Sequence, residues 1–262
     1  MSETIERYNW VERWTHTFHA IAMLVLIFTG LAIYFRWDIM TMHNARILHM
    51  IMVPVLILTN WFLVPYGIIS HGLAEGAEKK AGSLSERIVN SLKGVVSHFY
   101  HSYIFNKDDA RILKQAIVNF FDLSGKTKYP AFTVYNKDGG HYKTKLHPMF
   151  KIFIVVEGMC IFLVFITGIV LYKIDWSILG IPVASWITTI FGWFAPILDL
   201  TPLAFIRWVH LLMTYFFMFE LVCHALILEF DPKVFRYWKS IFVTGTEEID
   251  GPVIEVTEGH NH

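Results

Sequence analysis

The sequence predicts an all-α integral membrane protein, a bundle of four transmembrane helices with a long cytoplasmic loop and a short helix at the membrane interface. Hydrophobic residues make up 55% of the 262 residues and charged residues only 17%, whereas a soluble domain carries about 25% charged residues. Four apolar stretches are each long enough for a membrane-spanning helix, which needs roughly 20 residues. The net charge is zero, which argues against a nucleic-acid-binding protein.

The apolar stretches place the four predicted spans in the chain. They cover about residues 14–34, 48–69, 150–172 and 205–230. A fifth apolar stretch, residues 181–200, contains prolines and glycines that interrupt a long helix. We therefore expect a short helix at the membrane interface there and not a fifth span.

Basic residues predict the orientation of the spans. Residues 70–147, between the second and third spans, hold twelve Lys and Arg residues, while the opposite face has only Arg36, Arg46 and Lys173. Because basic residues concentrate on the cytoplasmic side of a membrane, we expect both termini and the loop 70–147 in the cytoplasm. Residues 1–262 are thus predicted to form a single multi-pass domain in the lipid of the cell's inner (cytoplasmic) membrane.

The cytoplasmic loop is expected to contain helices rather than a separate domain. Residues 84–103 and 108–121 have the pattern of two amphipathic helices. Residues 126–145, which include Asp138-Gly139-Gly140, are predicted to be irregular chain with turns.

Four of the 13 histidines lie within or at the ends of the predicted spans, where ionisable side chains are rare and usually functional. They are His16, His49, His210 and His224. The fourteen residues between His210 and His224 place them on one face of a helix, about 21 Å apart along its axis. That separation is too large for one metal ion, but it fits two cofactors stacked within an apolar core of about 30 Å.

Depth in the membrane predicts how these histidines pair. His16 and His224 lie towards the cytoplasmic side, whereas His49 and His210 open their spans from the outer side. Two pairs of imidazoles are the axial ligands expected of two b-type haems held between helices. Zinc would need three or four ligands at one point, and the absence of a Cys-x-x-Cys-His motif excludes covalently attached c-type haem.

Several nearby residues have two alternative roles. His19 follows His16 by three residues and competes with it as the ligand in the first span. Arg13 and Arg207 precede His16 and His210 by three residues; each either neutralises a haem propionate or anchors a helix end at the lipid headgroups. The cytoplasmic histidines His71, His98, His101, His141, His260 and His262 are expected to be exposed to solvent.

Several motifs are spread over nearly the whole chain: Arg13-Trp-Thr-His16, Thr29-Gly30-Leu31, Arg46-Ile-Leu-His49, Asn106-Lys-Asp-Asp-Ala-Arg-Ile-Leu, Thr167-Gly168 and the interval from His210 to His224. Together they resemble the cytochrome b subunit of respiratory formate dehydrogenases. In that family the Arg-x-x-His opening supplies a haem ligand, which favours His16 over His19. A Trp usually follows this histidine, where this chain has Thr17. The cytochrome b subunits of nickel–iron hydrogenases are a related family and the main alternative.

The resemblance implies an electron-transfer subunit with no substrate chemistry of its own. An iron–sulfur subunit, next to a catalytic subunit, would deliver electrons at the outer face to the haem of His49 and His210. The haem of His16 and His224 would pass them to a quinone, menaquinone or ubiquinone, on the cytoplasmic side. A hydrogenase or another quinone-linked oxidoreductase is the alternative complex. A transporter would show inverted repeats, which the sequence lacks, and a haem-binding assembly or sensor protein stays open.

The predicted quinone site departs from the family pattern. The family has Tyr-Asn-Ala-Gly-Gln-Lys before the third span, whereas here Tyr135-Asn136 is followed by inserted residues and the glutamine is absent. Asn136 and His147 are the candidates to donate a hydrogen bond to a quinone carbonyl. The alternative roles are a solvated loop residue for Asn136 and a helix-start residue for His147.

Overall fold

The computed structural model describes residues 3–77, 82–122, 131–174, 176–229, 236–249 and 254–257. Its helices, in chain order, are α1 (Trp10–Phe35), α2 (Met42–Ala77), α3 (Leu84–Tyr103), α4 (Lys107–Phe121), α5 (Pro148–Leu171), α6 (Val183–Phe194), α7 (Pro202–Glu229) and α8 (Arg236–Lys239). A 3₁₀ turn, Ala195–Leu198, follows α6, and a π-helical turn, Ser240–Thr244, follows α8.

Among the described residues, four helices are long and apolar enough to cross a membrane, and they confirm the predicted spans: α1, α2, α5 and α7, the last over Pro202–His224. Their length and composition indicate a multi-pass membrane protein. Helix α2 has 36 residues, or about 54 Å, so it continues well beyond an apolar core of about 30 Å. Helix α6 has 12 residues, about 18 Å, and is too short to cross. Its place at the membrane interface stays a prediction.

Short strands pair both with neighbouring segments and with distant parts of the chain. They are β1 (Thr4–Glu6), β2 (Thr133–Asn136), β3 (His141–Thr144), β4 (Ser177–Ile178), β5 (Ile181–Pro182), β6 (Thr246–Glu248) and β7 (Ile254–Thr257). Strand β1 pairs antiparallel with β6, β4 with β5, and β2 lies between antiparallel β3 and parallel β7. The N-terminal segment is therefore hydrogen-bonded to the C-terminal segment.

The prediction of irregular chain over residues 126–145 is wrong where the structure describes it. Strands β2 and β3 form an antiparallel hairpin, and residues 137–140 make its turn. Gly140 has a φ of 64°, a conformation that glycine adopts readily. The Asp138-Gly139-Gly140 run therefore belongs to a hairpin connection. Residues 126–130 lie outside the described residues.

The chain divides into two compact units. The first comprises Met1–His19, Leu58–Ile154 and His224–His262, and the second comprises Ala20–Ile57 and Val155–Cys223. The second unit contains the C-terminal parts of α1 and α5, the N-terminal parts of α2 and α7, and the whole of α6. Its buried core is formed by Ala22, Met23, Leu56, Cys160, Ile161 and Phe217. That residues 1–262 act as one functional domain stays a prediction.

In the first unit, α3 runs back along the end of α2. A Cβ atom on Gly94 would collide with the backbone of Gly72 and Gly76, so these glycines allow a close helix–helix approach. Helix α3 has the bounds expected from the sequence, and α4 begins one residue earlier. Each begins with a capping box, Ser83 with Glu86 and Asn106 with Asp109.

Candidate functional site

The second unit brings together His49 of α2 and His210 of α7. Their ring centres are 6.4 Å apart, and the ring planes are inclined by 48°. Both side chains are half-buried. These two histidines are the pair that the sequence predicts for the outer side of the membrane.

A threonine hydroxyl holds each ring of this pair at its Nδ1 atom. Thr29 Oγ1 lies 2.9 Å from His49 Nδ1, and Thr167 Oγ1 lies 2.8 Å from His210 Nδ1. Each hydroxyl donates its own proton to a backbone carbonyl of its helix, at 2.7 Å. The threonine oxygens therefore accept the Nδ1 protons, so Nε2 of each imidazole is left with the lone pair that binds a metal ion.

The residue after each threonine is a glycine beside the same histidine ring. A Cβ atom at Gly30 would lie 3.4 Å from His49 Cε1, and one at Gly168 would lie 3.8 Å from His210 Cε1. A Thr-Gly pair on α1 and another on α5 thus hold the two rings in the same way. The contact of each threonine with a histidine is not predicted by the sequence, although the Thr-Gly pair occurs there twice, at Thr29-Gly30 and Thr167-Gly168.

The first unit brings together His16 of α1 and His224 of α7, with ring centres 6.1 Å apart and planes inclined by 35°. An aromatic ring lies beside each histidine of this pair. Phe242 lies 5.3 Å from the His16 ring centre, and Phe150 lies 4.7 Å from that of His224. The Nδ1 atom of His16 is buried and has no hydrogen-bond partner among the described residues.

His16, and not His19, is the ring that lies opposite His224. His19 Nδ1 lies instead 3.2 Å from the hydroxyl of Thr59 on α2. Arg13, one turn before His16, donates to the carbonyl of Val243, and its buried Nε has no hydrogen-bond partner in the described parts of the chain.

Both spacings fit the binding of one metal ion between each pair of rings. Metal–nitrogen bonds to histidine are about 2 Å long, so two imidazoles that bind one ion from opposite sides have centres roughly 6 Å apart. The observed distances are 6.1 and 6.4 Å. Within the described ranges, no group of three or more His, Cys, Asp or Glu side chains could hold a metal ion. The donor set of each pair is therefore two imidazole nitrogens, which suits a haem.

His147 is buried immediately before α5. Its Nδ1 accepts a hydrogen bond from the backbone N–H of Met149 at 3.3 Å, and its ring lies 4.8 Å from that of Phe132. Its Nε2 is buried without a hydrogen-bond partner in the described structure. Burial lowers the pKa of His147 to about 4, so the ring is neutral at pH 7. Phe150 contacts both His147 and His224, with ring centres at 6.2 and 4.7 Å.

Two other candidates differ in exposure. Asn136 is buried in β2, and its Oδ1 accepts a hydrogen bond from the Gly139 backbone at 3.5 Å, so the alternative of a solvated loop residue does not describe it. Arg207, by contrast, is exposed, which leaves its side chain open to lipid headgroups or to a propionate.

The expectation that the cytoplasmic histidines are exposed is wrong for three of them. His98 and His141 are buried, and His71 is mostly buried, because α3 folds back along α2 and β3 lies against α3. His101 is exposed. His260 and His262 lie outside the described residues.

Comparison with known proteins identifies a relative of nearly full length. The F420 non-reducing hydrogenase II cytochrome subunit of Methanosarcina mazei is 50% identical over 260 residues, which cover 98% of this chain and 89% of the relative. No protein-family model and no solved structure matches the chain. The relative supports the hydrogenase alternative, whereas formate dehydrogenase, the main interpretation of the motifs, receives no support. On this identity and coverage, the chain belongs to the family of hydrogenase cytochrome subunits.

Proposed function

We propose that this chain is the dihaem cytochrome b subunit of a membrane-bound hydrogenase. It carries electrons from the hydrogenase to a lipid-soluble two-electron carrier such as a quinone. The observation that carries the proposal is the presence of two histidine pairs with ring centres 6.1 and 6.4 Å apart. Membership of a hydrogenase cytochrome family supports both the haem and the partner complex.

The chain's own residues determine how each haem is held. His49 and His210 would hold the iron of one haem through their Nε2 atoms, with Thr29 and Thr167 fixing the ring orientations. His16 and His224 would hold the other haem. Each bound haem would supply a one-electron redox centre.

Orientation in the membrane follows from the charge distribution. The twelve basic residues of loop 70–147 favour the cytoplasm for this loop and for both termini. The pairing of β1 with β6 supports placing the two termini on one side. The iron–sulfur and catalytic subunits of the hydrogenase would then deliver electrons from outside to the His49–His210 site. Arg13 and Arg207 are the proposed partners of haem propionates.

The carrier is proposed to bind on the cytoplasmic side, beside the His16–His224 site. The buried Nε2 of His147 supports this position, because it has no hydrogen-bond partner in the described structure and can donate a hydrogen bond to a quinone oxygen. Asn136 is the second proposed contact. Hydrogen oxidation outside and proton uptake inside would together build a membrane potential.

Haem stoichiometry tests the proposal. A pyridine haemochrome assay on the purified subunit should give two haems b per chain, and hydrogen should reduce both in the intact complex. One haem per chain would mean that one pair is misassigned, and none would overturn the proposal. Reduction of both haems without transfer to any lipid-soluble carrier would favour a haem-binding sensor or assembly protein.

A further inference from the structure

A buried cluster of three ionisable side chains lies in the first unit. Glu12 of α1 is 6% exposed, and its Oε1 accepts a hydrogen bond from Lys145 Nζ at 2.7 Å. His71 Nε2, on α2, lies 3.0 Å from the same oxygen. Lys145 Nζ and His71 Nε2 are themselves 3.2 Å apart. A carboxylate, an imidazole and an ammonium group therefore share one contact point.

The two oxygens of Glu12 have different partners. Oε2 accepts the backbone N–H of Asn9 at 2.9 Å, while Asn9 Oδ1 accepts the backbone N–H of Glu12 at 3.0 Å. These two bonds cap the start of α1. The other oxygen, Oε1, contacts both His71 and Lys145. The ammonium group of Lys145 is enough to neutralise the carboxylate, so a structural ion pair does not require His71 as a further donor.

No fixed position of the protons makes all three contacts of the cluster hydrogen bonds at once. The third contact becomes a hydrogen bond only when a proton moves. When His71 Nε2 carries a proton it donates to Glu12, and it then faces the Lys145 ammonium donor to donor. When Nε2 is unprotonated it accepts from Lys145 instead. Burial lowers the pKa of Lys145 to about 8, although Glu12 opposes this effect. Lys145 is thus brought close to releasing its proton near neutral pH.

His98 extends the cluster inwards from His71. Their ring centres are 5.4 Å apart, and the buried Nδ1 of His98 has no hydrogen-bond partner in the described part of the chain. Burial, together with the nearby charges of His71 and Lys145, lowers the pKa of His98 to about 3. The other titratable or charged groups that face the cluster are Arg7, Tyr8, Tyr103, His141 and Glu247.

Two residues of the cluster are close along the chain to residues of the proposed carrier site. Glu12 precedes His16 by four residues of α1, which is a rise of about 6 Å. Lys145 precedes His147 by two residues, at most about 7 Å of chain. The outer end of the cluster is His71, whose side chain is 18% exposed and so reaches solvent.

We propose that Glu12, His71 and Lys145 form a proton-loading site that supplies the carrier reduced beside His16 and His224. Each carrier molecule takes two electrons from the hydrogenase and two protons from this site, one after the other. His147 gives its Nε2 proton to the reduced carrier, Lys145 Nζ then returns a proton to the same Nε2, and solvent replaces the proton of Lys145 through His71. This inference rests on the function proposed above.

The test uses the complete hydrogenase complex in membranes, with hydrogen as the reductant and a short-chain quinone analogue as the carrier. The double variant Glu12→Gln/Lys145→Met removes both charges together, so no unpaired buried charge remains. We expect normal haem content, normal reduction of the haems by hydrogen, at least tenfold slower carrier reduction and a larger solvent deuterium isotope effect. His71→Ala should also be slow, and added imidazole should restore its rate, because imidazole can carry the missing proton.

A second buried ion pair in the same unit is the matched control. Lys151 Nζ lies 2.8 Å from Asp109 Oδ1, with side chains 1% and 6% exposed. The variant Lys151→Met/Asp109→Asn should keep the full rate of carrier reduction. Three outcomes would each overturn the proton-loading role. They are an equal slowing in this control, full-rate carrier reduction in Glu12→Gln/Lys145→Met, and a His71→Ala variant whose rate added imidazole does not restore. Absent haems in the unmodified complex would instead refute the proposed function.

Discussion

Thr29 Oγ1 accepts the Nδ1 proton of His49 at 2.9 Å while it donates its own proton to the carbonyl of Val25 at 2.7 Å. The hydroxyl therefore has a fixed direction, and it fixes the tautomer of the imidazole. Thr167 does the same for His210 through the carbonyl of Leu163. A partner that accepts the Nδ1 proton makes the imidazole a stronger donor to a bound metal.

Replacing these threonines should change the reduction potential of one haem. Thr167→Val leaves Nδ1–H of His210 without its threonine acceptor, and Thr29→Val leaves His49 only the backbone carbonyl of Leu26, so each imidazole becomes a weaker donor to iron. The oxidised haem then loses more stabilisation than the reduced haem. The potential should rise by some tens of mV, since a tenfold change in relative affinity corresponds to about 59 mV for one electron. A redox titration followed by haem absorbance measures this shift.

Two controls separate this effect from general loss of structure. Thr29→Ser keeps the hydroxyl, so its haem potential should stay near that of the unmodified protein. Thr214 Oγ1 donates to the backbone carbonyl of His210 at 3.1 Å, and Thr214→Val should leave the potential unchanged. Unaltered potentials in both ring-contacting valine variants would show that the threonines do not act through the histidines.

The four proposed ligands should divide into two groups by haem content. His49→Ala or His210→Ala should remove one haem, and His16→Ala or His224→Ala the other, because one imidazole of each pair is then missing. His19→Ala should retain both haems. Low-temperature absorbance spectra of the variants distinguish the two haems. If His19→Ala lost the haem that His16→Ala kept, the ligand in α1 would be His19.

His147 should affect transfer to the carrier without affecting the haems. His147→Leu removes the buried Nε2 and keeps a similar side-chain volume, so hydrogen should still reduce both haems while carrier reduction slows several-fold. Asn136→Leu should have the same direction of effect. Stopped-flow oxidation of the reduced haems by a short-chain quinone analogue measures the rate. Unchanged oxidation rates in both variants would place the carrier elsewhere.

The contact between α2 and α3 should not tolerate a side chain at Gly94. A Cβ atom there would collide with the backbone of Gly72 and Gly76, so Gly94→Ala should cost about 1–3 kcal/mol of stability and lower the thermal midpoint. Gly158→Ala on α5 is the matched control, because nothing lies within 4 Å of its added Cβ. Equal midpoints for the two variants would contradict this packing.

Local spacing along the chain was enough to predict the spans and the histidine pairs. The length of each apolar stretch determines the spans, and the position of each histidine within its span determines its depth. The sequence therefore predicts that His210 lies close to His49. The contact of Thr29 with His49 is not predictable in this way, because it depends on the register of α1 against α2. The burial of His98 depends on α3 folding back along α2, which no local pattern encodes. The β2–β3 hairpin was missed because its pairing depends on a turn that also suits irregular chain.

Acid should destabilise the first unit through its buried neutral histidines. Burial lowers the pKa of His98 to about 3 and that of His147 to about 4, below the ordinary value of about 6.5. Between the folded-state pKa of each histidine and its ordinary value of about 6.5, the unfolded chain binds a proton that the folded chain does not. The free energy of unfolding is therefore highest above about pH 6.5 and falls as the pH decreases through this range. At pH 5 each histidine should lower the free energy of unfolding by about 2 kcal/mol.

His98→Gln cannot take up this proton, so its thermal midpoint should fall less between pH 7 and pH 5 than that of the unmodified protein. His101→Gln replaces an exposed histidine of the same helix and should leave the pH dependence unaltered. The burial argument fails if the His98→Gln and His101→Gln variants lose the same stability in acid.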